Sequence, residues 1–462
     1  MFVGLSGIMR GRVEDEAMTR FGAVLMMLSF AVAGVHRTMG ADLMAGVARI
    51  DLTPPMSMKA TLGGYGERMN KPATGVHDRI YAKALVLSDG THRFALVTAD
   101  ILAFPSAIKT AVLGKLTDAG WKPDQIMLLP SHSHTSIEMN AINPMNLLRI
   151  PQIGLFQKEL YDLTVANLTK VITEAAHDLV PVTVGTTSIP LTGWNRNRRR
   201  GNQATDPDLT VTRIDKVGGE PFAVLVNWTA HPTLMDAEDM MFSGGWPGHL
   251  QRTLAALIGR GVVAMFYNGA EGDQSPVPRP DTEGRPTTAP SAVSNWERAE
   301  RYGRELAIVV WRVWEKIQPT RSPRLAYHLE EVSLPPPACH PDFMKTGGAE
   351  YGLSPEIMQP ILATMMPRKT AIGYLRLGDL LIVGIPGEMA AEMGMHIKQK
   401  VRESTGAKHV VIGGLANEWI SYILSAEEYD KGGYESSVSF YGRTLGQTIV
   451  EGALRGAVHL KP

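Results

Sequence analysis

A polar turn in the middle of the chain, residues 266–276, carries the first residue that could do chemistry. An apolar run, residues 261–266, leads into it, and the turn holds two glycines, two acids and a serine before Pro276 ends it. A strand that ends in such a turn lifts its last side chains out of the sheet. Ser275 is therefore a candidate nucleophile or hydrogen-bond donor at the rim of a site. Taken alone, the same turn is typical of a polar surface loop.

Three histidines follow other apolar runs. His132 and His134 lie two residues apart after residues 125–129, and in extended backbone this spacing points both imidazoles to one side. The pair suits one metal ligand beside an acid/base group or a second ligand. His231 follows residues 222–228, where the plain alternative is a histidine that hydrogen-bonds a strand end.

One carboxylate and two tyrosines lie in similar positions further along the chain. Glu388 comes after Pro386-Gly387 at the predicted start of a helix, where the helix dipole favours an acid and where a metal ligand would also be fixed. Tyr422 and Tyr434 flank an acidic segment. Tyrosines in loops usually serve packing, and a tyrosine that bound a metal would need the ion to lower its pKa from about 10.

Composition limits the functions open to this chain. It has 462 residues with 46 basic and 46 acidic side chains, so nothing favours binding to nucleic acid or to an anionic membrane surface. The single cysteine, Cys339, excludes an internal disulfide and a zinc site built from cysteines. A metal here would use histidine, carboxylate or other oxygen ligands.

Periodicity predicts one large α/β domain over residues 46–462, with mixed β-sheets layered between helices. No repeat of fixed period and no shift in composition divides this region. The predicted strands span residues 47–52, 80–88, 93–98, 125–129, 182–189, 209–215, 222–228, 261–266, 324–334, 371–377, 380–385 and 409–412. The predicted helices span residues 106–119, 153–178, 248–258, 294–317, 355–366, 386–402 and 442–460.

The N-terminus has the pattern of a secretory signal. A short basic start at Met18 precedes an apolar run too short to span a bilayer, and an Ala-x-Ala site ends at Ala33. We expect translation from Met18, a signal peptide over residues 18–33, a dispensable segment 1–41 and a periplasmic or secreted protein. The alternative is an N-terminal anchor helix.

Six short motifs, in order, resemble the catalytic domain of the neutral/alkaline non-lysosomal ceramidases, which are secreted zinc amidases. The resemblance runs from about residue 46 to the C-terminus, and no immunoglobulin-like C-terminal domain is expected. The motifs are His132-Ser-His-Thr-Ser136, Asn195-Arg196, Ala230-His-Pro232, Gly272-Asp-Gln-Ser-Pro276, Pro386-Gly-Glu388, and Ser421-Tyr-Ile-Leu-Ser425 with Tyr434-Glu435.

The resemblance implies one zinc ion per chain and a set of residues around a scissile amide. The implied zinc ligands are His132, His231, Glu388 and Tyr422. The implied catalytic residues are Ser275, Arg196, Tyr434 and His134. Arg196 and Tyr434 would bind the amide oxygen as it gains charge. Ser275 would act as nucleophile or would orient water, and the sequence leaves both roles open.

The expected activity is hydrolysis of an N-acyl bond, with ceramide or a related N-acyl lipid as the first candidate and transient contact with a membrane surface. Three positions depart from the family pattern: Ala270 replaces an asparagine, Ile137-Glu138 replaces Gly-Pro, and Gly245 replaces an aspartate. The Ile137-Glu138 departure suggests one alternative, an amidase or esterase for another acylated substrate. The loss of the asparagine and the aspartate suggests the other, a non-catalytic periplasmic binding protein on the same scaffold.

Overall fold

Most of the apolar runs form strands. The computed structural model describes residues 42–147, 149–199, 201–278, 293–321 and 323–461. The predicted signal peptide, residues 18–33, lies outside these residues. The strands are β1 (Met44–Asp51), β2 (Gly75–Val76), β3 (Tyr81–Ser88), β4 (Arg93–Ala99), β5 (Ile126–Pro130), β6 (Val180–Pro190), β7 (Asn195–Asn197), β8 (Asp208–Lys216), β9 (Pro221–Trp228), β10 (Met241–Phe242), β11 (Val263–Asn268), β12 (Gln274–Pro276), β13 (Thr320–Arg321), β14 (Leu325–Ser333), β15 (Lys369–Leu377), β16 (Leu380–Gly384), β17 (Glu388–Met389), β18 (His409–Gly413) and β19 (Tyr422–Ile423).

The helices lie between these strands. Two of the described helices begin at a capping serine: Ser294 accepts a hydrogen bond from the Glu297 backbone in a capping box, and Ser425 accepts one from the Glu428 backbone. The helices are α1 (Ser106–Leu116), α2 (Lys158–His177), α3 (Gly245–Ile258), α4 (Asn295–Trp314), α5 (Gly347–Tyr351), α6 (Pro355–Met365), α7 (Ala391–Thr405), α8 (Ala426–Asp430), α9 (Tyr434–Ser437) and α10 (Leu445–Ala457). No helix within the described ranges is long and apolar enough to cross a membrane.

Two sheets organise the fold. The larger runs in the order β11-β9-β8-β6-β1-β3-β4-β5, with β13 beside β6, and the smaller runs β14-β15-β16-β18. The pairs β4/β5, β9/β11 and β16/β18 are parallel, whereas the other neighbours in these sheets are antiparallel. Five strands are buried on both faces, which explains their nearly continuous apolar sequences: β3, β4, β5, β9 and β16.

Alternate side chains of the strands pack into different layers. Leu85 and Leu96 face the smaller sheet, where they meet Leu375 and Ile382. The opposite face of the larger sheet packs on α1 and α2 at one end and on α3 and α4 at the other. The far face of the smaller sheet packs on α7 and α10. The result is a helix–sheet–sheet–helix stack, which confirms the predicted α/β class with mixed sheets between helical layers.

The curl of the larger sheet brings its two edges together. β5 and β11 lie at opposite ends of the strand order but contact each other in space. The carboxyl ends of β5, β9 and β11 therefore open near one another, and those of β16 and β18 lie at a matching edge of the smaller sheet. Loops beyond the carboxyl ends of parallel strands are where α/β folds place ligands.

Candidate metal centre

Two histidines and one glutamate from distant segments form the centre of the site. His132 follows β5, His231 follows β9, and Glu388 lies in β17. The two Nε2 atoms are 3.1 Å apart. Glu388 Oε2 lies 3.5 Å from His132 Nε2 and 3.3 Å from His231 Nε2, and all three side chains are at most 5% exposed. We call these three residues the central cluster.

Hydrogen bonds on the far side of each ring fix both imidazoles. His132 Nδ1 donates to the Leu102 carbonyl oxygen at 2.7 Å, and His231 Nδ1 donates to the Glu271 carbonyl oxygen at 2.9 Å. Because a carbonyl oxygen only accepts, each Nδ1 carries the proton and each Nε2 keeps its lone pair. Two lone pairs that face each other at this distance suit a metal ion between them.

The backbone of His132 corrects the prediction of an extended His-x-His pair. His132 has a φ of 66°, in the left-handed region that non-glycine residues rarely adopt. Its backbone N–H donates to Ile101 at 3.0 Å, which helps to hold this conformation. His134 Nε2 still lies 3.4 Å from His132 Nε2. The two imidazoles therefore meet through a turn, and strain of this kind is common at functional sites.

Burial and neighbouring charges decide the protonation of the cluster. Burial lowers the pKa of His231 to about 4, and the Arg198 guanidinium adds to the shift. Burial also lowers the pKa of His134 well below its ordinary value. Burial alone would raise the pKa of Glu388, but His132 and His231 outweigh it and hold that pKa well below its usual range. A carboxylate beside neutral imidazoles is the state in which these groups bind a metal.

Strand pairing, and not a helix terminus, positions Glu388. It lies opposite Tyr422 in the parallel pair β17/β19, whereas α7 begins only at Ala391, so the predicted helical start is wrong. Trp419 Nε1 donates to Glu388 Oε1 at 2.7 Å. Oε2 is buried and has no hydrogen-bond partner among the described residues. A buried carboxylate oxygen without a donor is an oxygen prepared for a cation.

Tyr422 lies in the wall beside Glu388. Arg198 Nη2 donates to its hydroxyl at 3.0 Å, and the same guanidinium donates to the Gly272 carbonyl oxygen and to Glu435. Burial, and next the Glu388 carboxylate, raise the pKa of Tyr422 well above its ordinary value. The phenol is therefore neutral without an ion, and its role as a ligand stays a prediction that needs the metal to remove the proton.

Ser275 and Arg196 lie together but apart from the cavity beside the central cluster. They are directly opposite in the antiparallel pair β12/β7, with Ser275 half-buried and Arg196 exposed. The neighbouring Gln274 carbonyl accepts the backbone N–H of His231 at 2.9 Å, which ties this turn to the cluster. Two cavities open at the site, one walled by α6 and one lined by Arg198, His231 and Tyr434, and neither Ser275 nor Arg196 is among the described residues that line them. Their catalytic roles stay predictions.

A cavity of about 210 Å³ opens onto the central cluster. His134 and Tyr434 line it, as predicted for residues that meet a substrate, and the Tyr434 ring lies 5.9 Å from that of Tyr422. Most of the remaining wall is apolar and comes from α6 and the segments around it. The apolar lining residues include Leu102, Phe343, Leu353, Met358, Ile361, Leu362, Met365, Trp419 and Phe440. Such a wall suits an alkyl chain.

The residues present fit a metal ion. Two sets offer ligand atoms that all lie within 4.8 Å of one another: His132 with His134 and His231, and His132 with Glu271 and Glu388. Imidazole nitrogens with a carboxylate oxygen are donors typical of zinc. The second set contains Glu271, which the sequence motifs did not single out.

Sequence reasoning also missed Arg198 and Trp419, which contact Tyr422 and Glu388. Arg198 is the middle of a run of five residues that contains four arginines, and only Arg196 was chosen because it matched a motif. A run of arginines next to apolar segments could have indicated that some of them are buried in ion pairs. Arg199 is such a residue, with hydrogen bonds to Glu428 and Glu435.

The amino-acid sequence of this chain matches a known family. Residues 43–288 and 356–450 match the family described as neutral/alkaline non-lysosomal ceramidase, N-terminal. The neutral ceramidase of Pseudomonas aeruginosa is 21% identical, over 92% of this chain and 73% of that protein. Neutral ceramidase B of Dictyostelium discoideum is 22% identical, over 86% of this chain and 69% of that protein.

Solved structures share the fold. The crystal structure of the Pseudomonas aeruginosa neutral ceramidase superposes with a TM-score of 0.77 at 21% identity, covering 91% of this chain and 74% of that one. A structure described as ceramidase complexed with C2 gives the same TM-score at 20% identity, covering 91% and 75%.

Proposed function

The chain belongs to the neutral/alkaline non-lysosomal ceramidase family, and from this premise we propose that it is a secreted, zinc-dependent amidohydrolase. Family membership makes it a hydrolase. The proposed substrate is ceramide or a related N-acyl lipid, in line with the names of its relatives and with the solved ceramidase in complex with C2. Secretion rests on the sequence pattern of residues 18–33, which lie outside the described residues.

One observation supports this proposal above the others: the central cluster faces a cavity with a mainly apolar wall. His132, His231 and Glu388 offer the donors of a zinc site. The apolar side chains of α6, together with Phe343 and Phe440, offer a surface for an alkyl chain. A metal-assisted hydrolase for a lipid amide needs both features side by side.

A bound zinc ion would polarise the scissile carbonyl or activate water. The two histidines and Glu388 would hold it, with their orientation fixed by Leu102, the Glu271 carbonyl and Trp419. His134, a neutral imidazole at the cavity wall, would accept or return a proton at Nε2. Tyr434 would donate to the amide oxygen as negative charge develops there.

Ser275 keeps the two roles that the sequence leaves open, nucleophile or orienter of water. Both require its hydroxyl to reach the cavity, and the turn that carries it is anchored to His231 through Gln274. Arg196 lies opposite on β7 and exposed, so Arg198 is the better placed donor beside Tyr422. We therefore assign the guanidinium role in the proposed mechanism to Arg198.

A second substrate class is favoured by Glu138. This residue stands at one of the three departures from the family pattern and lines the cavity near polar side chains such as Asn140 and Gln152. Burial raises the pKa of Glu138 to about 7. A polar end in an otherwise apolar cavity suits an acylated amine or ester that carries a hydrogen-bond donor near the reacting carbonyl.

Purified protein loaded with zinc should release fatty acid from ceramides faster than from short N-acyl amines or esters. The His231→Ala variant is the matched control for contaminating hydrolases. If the protein prefers a short or polar acyl substrate, its substrate belongs to the second class, the acylated amines and esters. A zinc-loaded, folded protein that hydrolyses none of these substrates but binds one of them would favour the non-catalytic reading.

A further inference from the structure

Glu271 is a buried carboxyl group without any partner for its side chain. Its relative exposure is 0%. Neither Oε1 nor Oε2 has a hydrogen-bond partner among the described residues. Most buried polar atoms in folded proteins are paired, because an unpaired one costs about 1–3 kcal/mol and a charged one costs more. Glu271 has two unpaired buried oxygens just beyond the carboxyl end of β11, and this cost suggests a functional role.

The position of Glu271 is next to the central cluster. Its carboxylate offers an oxygen within 4.8 Å of ligand atoms of His132 and Glu388. Its backbone carbonyl already accepts the Nδ1 proton of His231 at 2.9 Å. One residue therefore fixes a ring of the cluster through its backbone and reaches the cluster with its side chain.

The space around the carboxylate is shaped for it. A Cβ atom at Gly414 would collide with both the Gly269 carbonyl oxygen and Glu271 Oε2, so glycine at that position leaves room for both oxygens. Gly414 follows β18, which comes from the smaller sheet. The pocket for the Glu271 side chain is thus built from both sheets, as a ligand position requires, and is not a gap at the surface.

Glu271 and Glu388 are two buried carboxyl groups whose oxygens lie within 4.8 Å of each other. No hydrogen bond joins them among the described residues, and burial, followed by the Glu388 charge, raises the pKa of Glu271 well above its usual range. Two carboxyls that approach without a hydrogen bond between them repel when both are ionised. A cation between them removes both the repulsion and the missing contacts.

We propose that Glu271 is a further protein ligand of the metal ion held by the central cluster. The inference rests on the proposed function in so far as a metal binds there. It adds an oxygen donor to the expected set of His132, His231, Glu388 and Tyr422. The extra carboxylate would increase the affinity for the ion and would place a second negative charge beside it.

The test measures metal binding and not activity. Metal-free protein is titrated with Zn²⁺ against a chromogenic chelator, and X-ray absorption gives the total number of nitrogen and oxygen ligands. Glu271→Gln keeps the shape of the side chain but removes the charge, so we expect the Kd for Zn²⁺ to rise at least about 10-fold and one oxygen ligand to be lost. Glu138→Gln, a cavity carboxyl outside the cluster, should keep the wild-type Kd and coordination.

Each other outcome has a clear meaning. An unchanged Kd and coordination in Glu271→Gln, with zinc bound in the wild type, would overturn this inference and leave the proposed function standing. Two zinc ions in the wild type, of which only one depends on Glu271, would also overturn it. A folded wild type that binds no zinc would instead overturn the zinc dependence in the proposed function. If Glu271→Gln does not fold, Glu271→Asp, which keeps the charge but shortens the reach, should show the same loss of affinity.

Discussion

Two clusters of histidine and carboxylate in this fold have similar compositions, but their carboxylates differ in their hydrogen-bond partners. The central cluster joins His132 and His231 to Glu388, whose Oε2 has no hydrogen-bond partner among the described residues. A second group, His77, Asp78 and His249, also brings its ligand atoms within 4.8 Å of one another. We call it the peripheral cluster.

The carboxylate of the peripheral cluster is fully occupied. Asp78 Oδ1 accepts from Arg252 Nη1 at 2.8 Å and from the Gly244 backbone at 3.2 Å. Asp78 Oδ2 accepts from the Ser243 hydroxyl and lies 2.9 Å from His77 Nδ1. The guanidinium of Arg252 already supplies the positive charge, so a metal ion would be repelled. The residue types alone therefore do not distinguish the two clusters. A buried carboxylate oxygen without a hydrogen-bond donor does.

The largest difference between the two clusters is expected when one histidine of each is replaced by alanine and zinc content and activity are compared. His231→Ala should reduce bound zinc from one ion per chain to nearly none and lower the activity more than about 100-fold, because it removes a direct ligand. His249→Ala should keep both. Metal analysis gives the zinc content of both variants, and initial rates on the best substrate give their activities. Equal zinc content in the two variants would contradict the assignment of the central cluster.

Serines beside each cluster should separate chemistry from stability. Ser275→Ala should keep zinc and fold but lose at least about 10²-fold in kcat if Ser275 acts in the transition state. Ser243→Ala should keep kcat but lower the free energy of unfolding by about 1 kcal/mol, because Ser243 donates to the half-buried Asp78. Steady-state kinetics and urea unfolding distinguish them. A near-normal kcat in Ser275→Ala would make Ser275 a structural turn residue.

The last comparison concerns stability and not activity, and it rests on Asp78→Asn, whose effect should depend on pH. Burial alone would raise the pKa of Asp78, but Arg252 and the hydrogen bonds from Ser243 and His77 outweigh it and lower that pKa. A lowered folded pKa stabilises the protein above the ordinary value near 3.8, and this contribution is lost as the pH falls through the folded value.

Urea unfolding should therefore show Asp78→Asn less stable than wild type by about 1–3 kcal/mol at pH 7. The difference should shrink as the pH falls below about 4, because Asp78 binds its proton first in the unfolded chain and only at a lower pH in the folded protein. Zinc content should remain at the wild-type level. A difference that stays constant down to pH 3, or a loss of zinc, would show that Asp78 does not have the structural role assigned to it.

The sequence was sufficient for the order of the longer elements and for the layered class of the fold. Continuous apolar runs indicate the buried strands β5 and β9, and the two-residue gap between the predicted strands 371–377 and 380–385 corresponds to the turn between β15 and β16. These features depend on local periodicity and turn chemistry. Glu388 was placed wrongly at a helix start, because a two-residue strand such as β17 has no periodicity to recognise.

The residues of the central cluster could also be selected from the sequence as candidate metal ligands, because His132, His231 and Glu388 each follow an apolar run. What brings them within 3.5 Å is the curl of the larger sheet and the contact between the two sheets. Neither property is encoded in any single segment.

The tertiary structure alone decided which polar atoms are left without partners. Glu271 reads in the sequence as one more acid in a polar turn, and it becomes distinctive only when Gly414, from the other sheet, makes room for its carboxylate. Asp78 reads in the same way and is satisfied by Arg252 from α3. Pairing of this kind depends on contacts between residues far apart in the chain, which periodicity and spacing do not contain.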